Sequence, residues 1–109
     1  MSTRCTINFT YNKQVHSKIY RHYDGYPEGV KPDLKRFFQE VQKECQGDNR
    51  FNDPSYLAAK FVVWQARQNG EGLRFTGVAP VLEDPDDIEY TYFVNCSGNK
   101  PKVTHKKVP

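Results

Sequence analysis

Apolar and polar positions alternate over residues 4–11, with Cys5, Ile7, Phe9 and Tyr11 on one side and Thr6, Asn8 and Thr10 on the other. This period of two predicts a half-buried strand. Asn12-Lys13-Gln14 reads as a turn, and the alternation resumes over residues 15–23. Val15, Ile19, Arg21 and Tyr23 share one face there, and His16, Lys18, Tyr20 and His22 share the other. Together the two runs predict a β-hairpin. The period then lengthens. Pro32 suits a first helical position, and Leu34, Phe37, Phe38, Val41 and Cys45 form a stripe that Gly47 terminates. Asp53 as N-cap with Pro54 behind it opens a second helix through Tyr56, Leu57, Phe61, Val62, Trp64 and Ala66 to Gly70. Its apolar residues spread around much of the circumference, so it is expected to be the more buried helix. Strand-type residues return at 73–78, 88–96 and 102–108, separated by Glu83-Asp84-Pro85-Asp86-Asp87 and Ser97-Gly98-Asn99. The order ββααβββ predicts one α+β domain, a mostly antiparallel sheet with two helices packed on one face.

Composition narrows the function classes. A chain of 109 residues accommodates one hydrophobic core. Aromatics at 14 % give that core few but large side chains. The net charge of +3 and pI near 8.8 fall short of a dedicated nucleic-acid binder. Lys100, Lys102, Lys106 and Lys107 hold much of the excess and read as a solvated basic edge or tail. Runs such as Phe61-Val62-Val63-Trp64 are far shorter than the roughly 20 residues of a spanning helix. The first residues lead straight into a strand and lack the apolar stretch of a signal peptide, so a cytoplasmic protein is expected. Cys5, Cys45 and Cys96 are odd in number and sit in apolar patterns, which predicts reduced core thiols. Two strings fit a glycosylation pattern, Asn8-Phe9-Thr10 and Asn95-Cys96-Ser97, and carry no weight without secretion.

Enzyme signatures are missing. The chain has no phosphate-binding glycine loop and no nucleophile elbow, and His16, His22 and His105 are too scattered to predict a metal site. Neither a metal nor a cofactor is expected. The most unusual stretch is Ile19-Tyr20-Arg21-His22-Tyr23-Asp24-Gly25-Tyr26-Pro27-Glu28-Gly29. One reading is structural: Asp24 and Gly25 turn the chain, Tyr26 and Pro27 pack on the first helix, and Arg21 pairs with a carboxylate such as Asp24 or Glu28. The other is functional: a rigid loop holds Arg21, Tyr23 and Tyr26, with Asp24, His22 and Tyr20 nearby, around a small anionic, nucleotide-like ligand. Strand geometry splits these residues into two constellations, Arg21 with Tyr23 on the helix side and His16, Lys18, Tyr20 and His22 on the outer face. A non-enzymatic binding protein is therefore the leading expectation. A protein-interaction module is the alternative, and a small hydrolase with His22 and Asp24 as acid and base comes third. Residues 88–96 are apolar on both faces, with Tyr90, Tyr92 and Val94 against Phe93, which predicts a covered second face. A second copy of the chain or a stacked base is the expected cover.

The same stretch resembles small uncharacterised proteins of bacteria and their phages that carry an Arg-His-x-Asp-Gly-Tyr-Pro-Glu-Gly signature after an N-terminal hairpin. Met1-Ser2-Thr3-Arg4, Asn52-Asp53-Pro54-Ser55-Tyr56-Leu57-Ala58-Ala59 and Ile88-Glu89-Tyr90 extend the likeness along most of the chain. The resemblance implies a setting and no activity. By analogy with that setting, sequestration of a host signalling nucleotide or contact with a host defence factor is the expected role.

Overall fold

Strands β1 (Cys5–Tyr11) and β2 (Gln14–Arg21) form the expected hairpin, in a computed structural model that describes residues 3–68 and 76–109. Asn12 and Lys13 alone close it, both at positive φ (49° and 66°), the geometry whose twist matches two antiparallel strands. Cys5 faces Arg21, Ile7 faces Ile19 and Phe9 faces Ser17, and the register shifts between Phe9 and Thr10. Three further strands, β3 (Thr76–Ala79), β4 (Tyr90–Asn95) and β5 (Lys102–Lys107), complete a five-stranded sheet in the order β3-β2-β1-β4-β5. Every pairing is antiparallel except β1 with β4, which run parallel. The 73–75 part of the expected third strand and the 69–70 end of the second helix lie outside the described residues. Strand β2 stops at Arg21 rather than Tyr23, and β4 begins at Tyr90 rather than Ile88, because the loops pull the chain off the ladder there.

Helix α1 (Pro27–Cys45) starts five residues before the expected Pro32. Pro27 takes the first helical position, and Pro32 sits inside the helix. Its missing N–H forfeits one bond to the Glu28 carbonyl, close to the end where the first four N–H groups have no helical partner anyway. The stripe Val30, Leu34, Phe37 and Val41 runs unbroken across it and is buried throughout. Helix α2 (Pro54–Gln68) begins as expected, with the Asp53 carboxylate accepting from the Tyr56 N–H at 3.1 Å.

Both helices lie on the face formed by Cys5, Ile7, Phe9, Ile19, Tyr92 and Val94. Phe61 and Phe37 bind the layers together. Their rings meet edge to face at 5.1 Å, Phe61 stacks on Trp64 at 6.0 Å, and Phe9 lies 5.9 Å beneath Phe61.

Among the described residues no helix packs on the other face, and yet Thr6, Asn8, Lys18 and Thr91 are buried. For Lys18 the cause is the chain itself, and Asn8 is tied within the sheet to Thr6 and the Tyr92 carbonyl. Residues 80–89, which join β3 at one edge to the start of β4, pass over Lys18 and Tyr20 of β2 and reach Arg4 just before β1. The Lys18 ammonium donates to the Glu83 carbonyl and the Asp84 carboxylate, both at 2.7 Å, Arg4 meets Asp87 at 3.5 Å, and the Glu89 N–H donates to the Arg4 carbonyl at 2.8 Å. The loop therefore covers the β2 side of the second face at Lys18, while Lys102, Thr104 and Lys106 of β5 stay exposed, as does His16 near the hairpin turn. Among the described residues no helix is long and apolar enough to cross a membrane.

Candidate functional site

Arg21 ends β2 on the helix side, and its side chain runs under α1. There it meets the Asp33 carboxylate at 2.8 Å, donates through Nε to the Tyr23 carbonyl at 2.9 Å and through Nη1 to Gln65 Oε1 at 3.4 Å. Gln65 in turn donates to the Thr76 hydroxyl at 2.9 Å, and Arg36 also pairs with Asp33. The guanidinium thus has an internal carboxylate, contributed by α1 and not by Asp24 or Glu28. A buried charge without a partner would be costly, and the helix supplies one.

Close packing explains the density of glycine and proline that follows. Asp24 adopts the left-handed region at φ 54°. The next N–H, that of Gly25, donates to the Thr3 carbonyl at 2.9 Å. A Cβ on Gly25 would lie 2.8 Å from that oxygen and 2.9 Å from the Cys5 Cβ, so no larger residue fits. The Gly25 carbonyl accepts from the Tyr92 hydroxyl at 2.6 Å. At Gly29 a Cβ would stand 2.6 Å from the Asp24 carbonyl, and Tyr26 caps α1 by accepting the Gly29 and Val30 N–H groups at 2.9 and 3.0 Å. The segment is a clamp that fixes the start of α1 to the first residues of β1.

The remaining expected site residues divide as strand geometry requires. Tyr26 lies near Asp24, its hydroxyl donating to the Asp24 carboxylate at 3.3 Å; the charge of that carboxylate and this bond raise the Tyr26 hydroxyl above the usual tyrosine range. Tyr20 and His22 are joined on the opposite side, hydroxyl to Nδ1 at 2.7 Å, with Tyr23 edge-on to His22 at 4.8 Å. Burial raises the Tyr20 hydroxyl as well. His16 is exposed and Lys18 is sealed beneath the loop, so the outer-face constellation is not one surface. His22 and Asp24 share no hydrogen bond. A hollow of about 340 Å3 does open beside the start of α1, where Arg21 and Arg36 are outnumbered by Asp24, Glu28 and Asp33. That balance does not suit an anion.

Two surfaces carry features that the sequence pattern understated. The first is the β4–β5 side of the outer face. Lys102, Thr104 and Lys106 stand on β5 opposite Asn95, Phe93 and Thr91 of β4, so two lysines flank one aromatic ring, and the Lys106 ammonium lies 5.7 Å from the Phe93 centroid. The signal in the sequence was the period of two in Lys102-x-Thr104-x-Lys106, which makes the lysines a strand face and not a tail. The second is a groove of about 570 Å3 between α1 and α2, floored by Phe37, Val41, Val63 and Trp64. It accounts for the apolar residues found all around α2: Leu57, Ala58, Phe61 and Trp64 are buried against the fold, while Tyr56 and Val63 are half exposed. Among the described residues no group of His, Cys, Asp and Glu side chains could hold a metal ion. No protein-family model, no curated protein and no solved structure matches the chain.

Proposed function

We propose that the protein is a non-catalytic binding protein for a phosphate-bearing ligand, an extended single-stranded oligonucleotide, and that the open β4–β5 face receives it. The observation that carries this reading is the partition of charge. All thirteen carboxylates fall within residues 1–89, where twelve lysines and arginines leave a net charge of −1; residues 90–109 hold four lysines and no acid, +4. Among the described residues none of these lysines has a carboxylate within ion-pair distance. The modest overall charge hides a strongly one-sided molecule, and one-sided charge steers a polyanion to one surface. Lys102 and Lys106 project from the same strand face about 13 Å apart by the strand rise, a span that suits phosphates about two nucleotides apart in an extended chain better than one mononucleotide. Phe93 between them, half-buried, offers a ring on which a base stacks once the Lys106 ammonium, 5.7 Å from its centroid, swings to a phosphate.

Fluorescence anisotropy with a labelled twelve-residue oligothymidylate tests the proposal at low salt. Binding is expected, weakening with salt in proportion to the phosphates neutralised, with an affinity loss of at least tenfold in the Lys102→Ala/Lys106→Ala double variant. Phe93→Leu keeps the apolar cover and removes the stacking plane, and a loss of about fivefold or more is expected. No binding at low salt overturns the reading, as does equal competition by polyglutamate, which marks simple polyanion attraction or an acidic protein as the partner. A mononucleotide that binds the double variant but not Arg36→Ala would move the site to the hollow beside Arg21.

A further inference from the structure

We propose that the groove between α1 and α2 is closed in solution by a second copy of this chain, related by a two-fold axis. This interface is separate from the β4–β5 face. Its basis is self-complementarity. The α1 bank of the groove is acidic, with Glu40 and Glu44, and the α2 bank carries Lys60 and Arg67 along its length, with the Asp53 cap at its start. A two-fold axis running along the groove sets the acidic bank of each copy against the basic bank of the other, a self-complementary contact of the isologous kind. Between the banks, Val63 at 51 % and Tyr56 at 50 % exposure are large apolar side chains held in water on the outer side of α2. Arg67 and Glu44 meet at 3.7 Å within one chain with both side chains about 60 % exposed, so the pair exchanges for an equivalent pair across the axis at little cost. Lys60 is held less freely, reaching the Asn49 carbonyl at 3.4 Å and lying 5.1 Å from the Tyr56 ring, and it stiffens that end of the bank. A partner helix from another protein would also fill an apolar groove, but it would need no such pairing of opposite banks.

Sedimentation velocity on the full chain, from micromolar to millimolar, reads the outcome. The expected species has twice the 12.7 kDa chain mass. Val63→Glu, at a half-exposed position, should give the single-chain mass with unchanged far-ultraviolet circular dichroism. Glu44→Arg alone and Arg67→Glu alone should each weaken the dimer, and the two together should restore it, since opposite banks face each other again. Three results overturn the proposal: a single-chain mass for the wild type at every concentration, which leaves the groove to a different protein; a dimer whose mass is indifferent to Val63→Glu; and a charge-exchanged double variant that remains as dissociated as either single one.

Discussion

Arg21 of β2 and Asp33 of α1 meet at 2.8 Å across the seam between sheet and helix, with side chains only 6 % and 18 % exposed. The pair anchors the first turns of a helix that carries Pro32 in its interior. Removing Asp33 leaves the Arg21 guanidinium charged and poorly solvated, so Asp33→Ala is expected to lower unfolding free energy by about 3 kcal/mol, and Arg21→Ala, which leaves Asp33 its pair with Arg36, by less. Urea denaturation measures it. Replacing both, as Arg21→Met/Asp33→Leu, should cost clearly less than the two single losses summed, because the lone buried charge is gone. An Arg21→Ala protein as stable as the wild type would mean that the guanidinium is held ready for something other than Asp33.

Much of this fold is legible in the hydrophobic pattern, and the failures have particular causes. The hairpin, the α2 start and the strand order along the chain follow from period and capping residues, since those signals are local. The α1 start is misread because two prolines compete for the first helical position, and only the extension of the stripe back to Val30 favours Pro27. Pairing across the sheet is not local. Nothing in the order ββααβββ states that β4 runs parallel to β1, or that the preceding loop crosses Lys18 on its way. Hence Lys18 reads as an exposed residue and Asp33, the carboxylate that Arg21 needs, goes unnoticed twelve positions away. The candidate site suffers from the same limit. Residues 21–29 look functional because they are rich in glycine, proline and charge, and the packing of Gly25 on Thr3 and Cys5 gives that composition a structural reason.

Asp53 closes the N-terminus of α2 by accepting the Tyr56 N–H at 3.1 Å through its side chain, while its carbonyl accepts from Leu57 at 3.0 Å. Only the first bond is lost in Asp53→Ala. The expected cost is about 1 kcal/mol, and Asp53→Asn should recover most of it, because the acceptor oxygen returns. Thermal melts of the three proteins decide this, and equal midpoints for Ala and Asn would show that water replaces the cap.

Alkaline pH should destabilise the fold through its buried thiols. Burial pushes the Cys5 thiol from 9.0 up to about 12, partly opposed by Arg21, and burial with the Asp53 carboxylate pushes Cys96 to about 11. Both groups hold their protons in the folded chain after the unfolded chain has released them. Stability is therefore complete below pH 9 and falls between pH 9 and 12, each thiol adding about 1.4 kcal/mol per pH unit to the slope within its own window. The Tyr92 hydroxyl, raised by burial, extends the fall in the same direction. Urea midpoints at pH 8, 9.5 and 11 trace the curve, and Cys5→Ala should flatten it.

The same burial predicts how the three cysteines react. Cys5 and Cys96 are fully buried, and Cys45 lies partly open at the end of α1, with its sulfur 3.7 Å from the Lys60 ammonium. Cys45 lines the α1–α2 groove, so in the dissociated chain a disulfide reagent at pH 8 should modify one thiol quickly and the other two only on unfolding. Cys45→Ser should remove the fast phase entirely. Two fast equivalents in the wild type would mean that the start of β1 or the end of β4 opens readily.

The strongest test of the clamp reading is Gly25→Ala, compared with Gly47→Ala. Both glycines interrupt helical or loop chain, but for different reasons. Gly47 follows α1 at φ 91° with nothing within 4 Å of a Cβ, so alanine there meets only backbone strain, about 1 kcal/mol. At Gly25 a Cβ meets backbone on one side and the Cys5 Cβ on the other, all at 3.0 Å or less, and none of these atoms belongs to a flexible side-chain end. Relief requires the loop to lift off β1. Lifting it would break the Gly25 bond to Thr3 and the 2.6 Å bond from the buried Tyr92 hydroxyl, which would then lack an acceptor. Overpacking and that lost bond together predict a loss of about 3 kcal/mol, well beyond the Gly47 variant. Tyr92→Phe should remove part of the penalty from the Gly25→Ala background, since no hydroxyl is then stranded, and should itself cost about 1 kcal/mol in the wild type. Urea denaturation of the four single and double variants reads these differences directly. Equal effects at Gly25 and Gly47 would show that the loop moves freely from β1, and the glycines of residues 21–29 would again need a functional explanation.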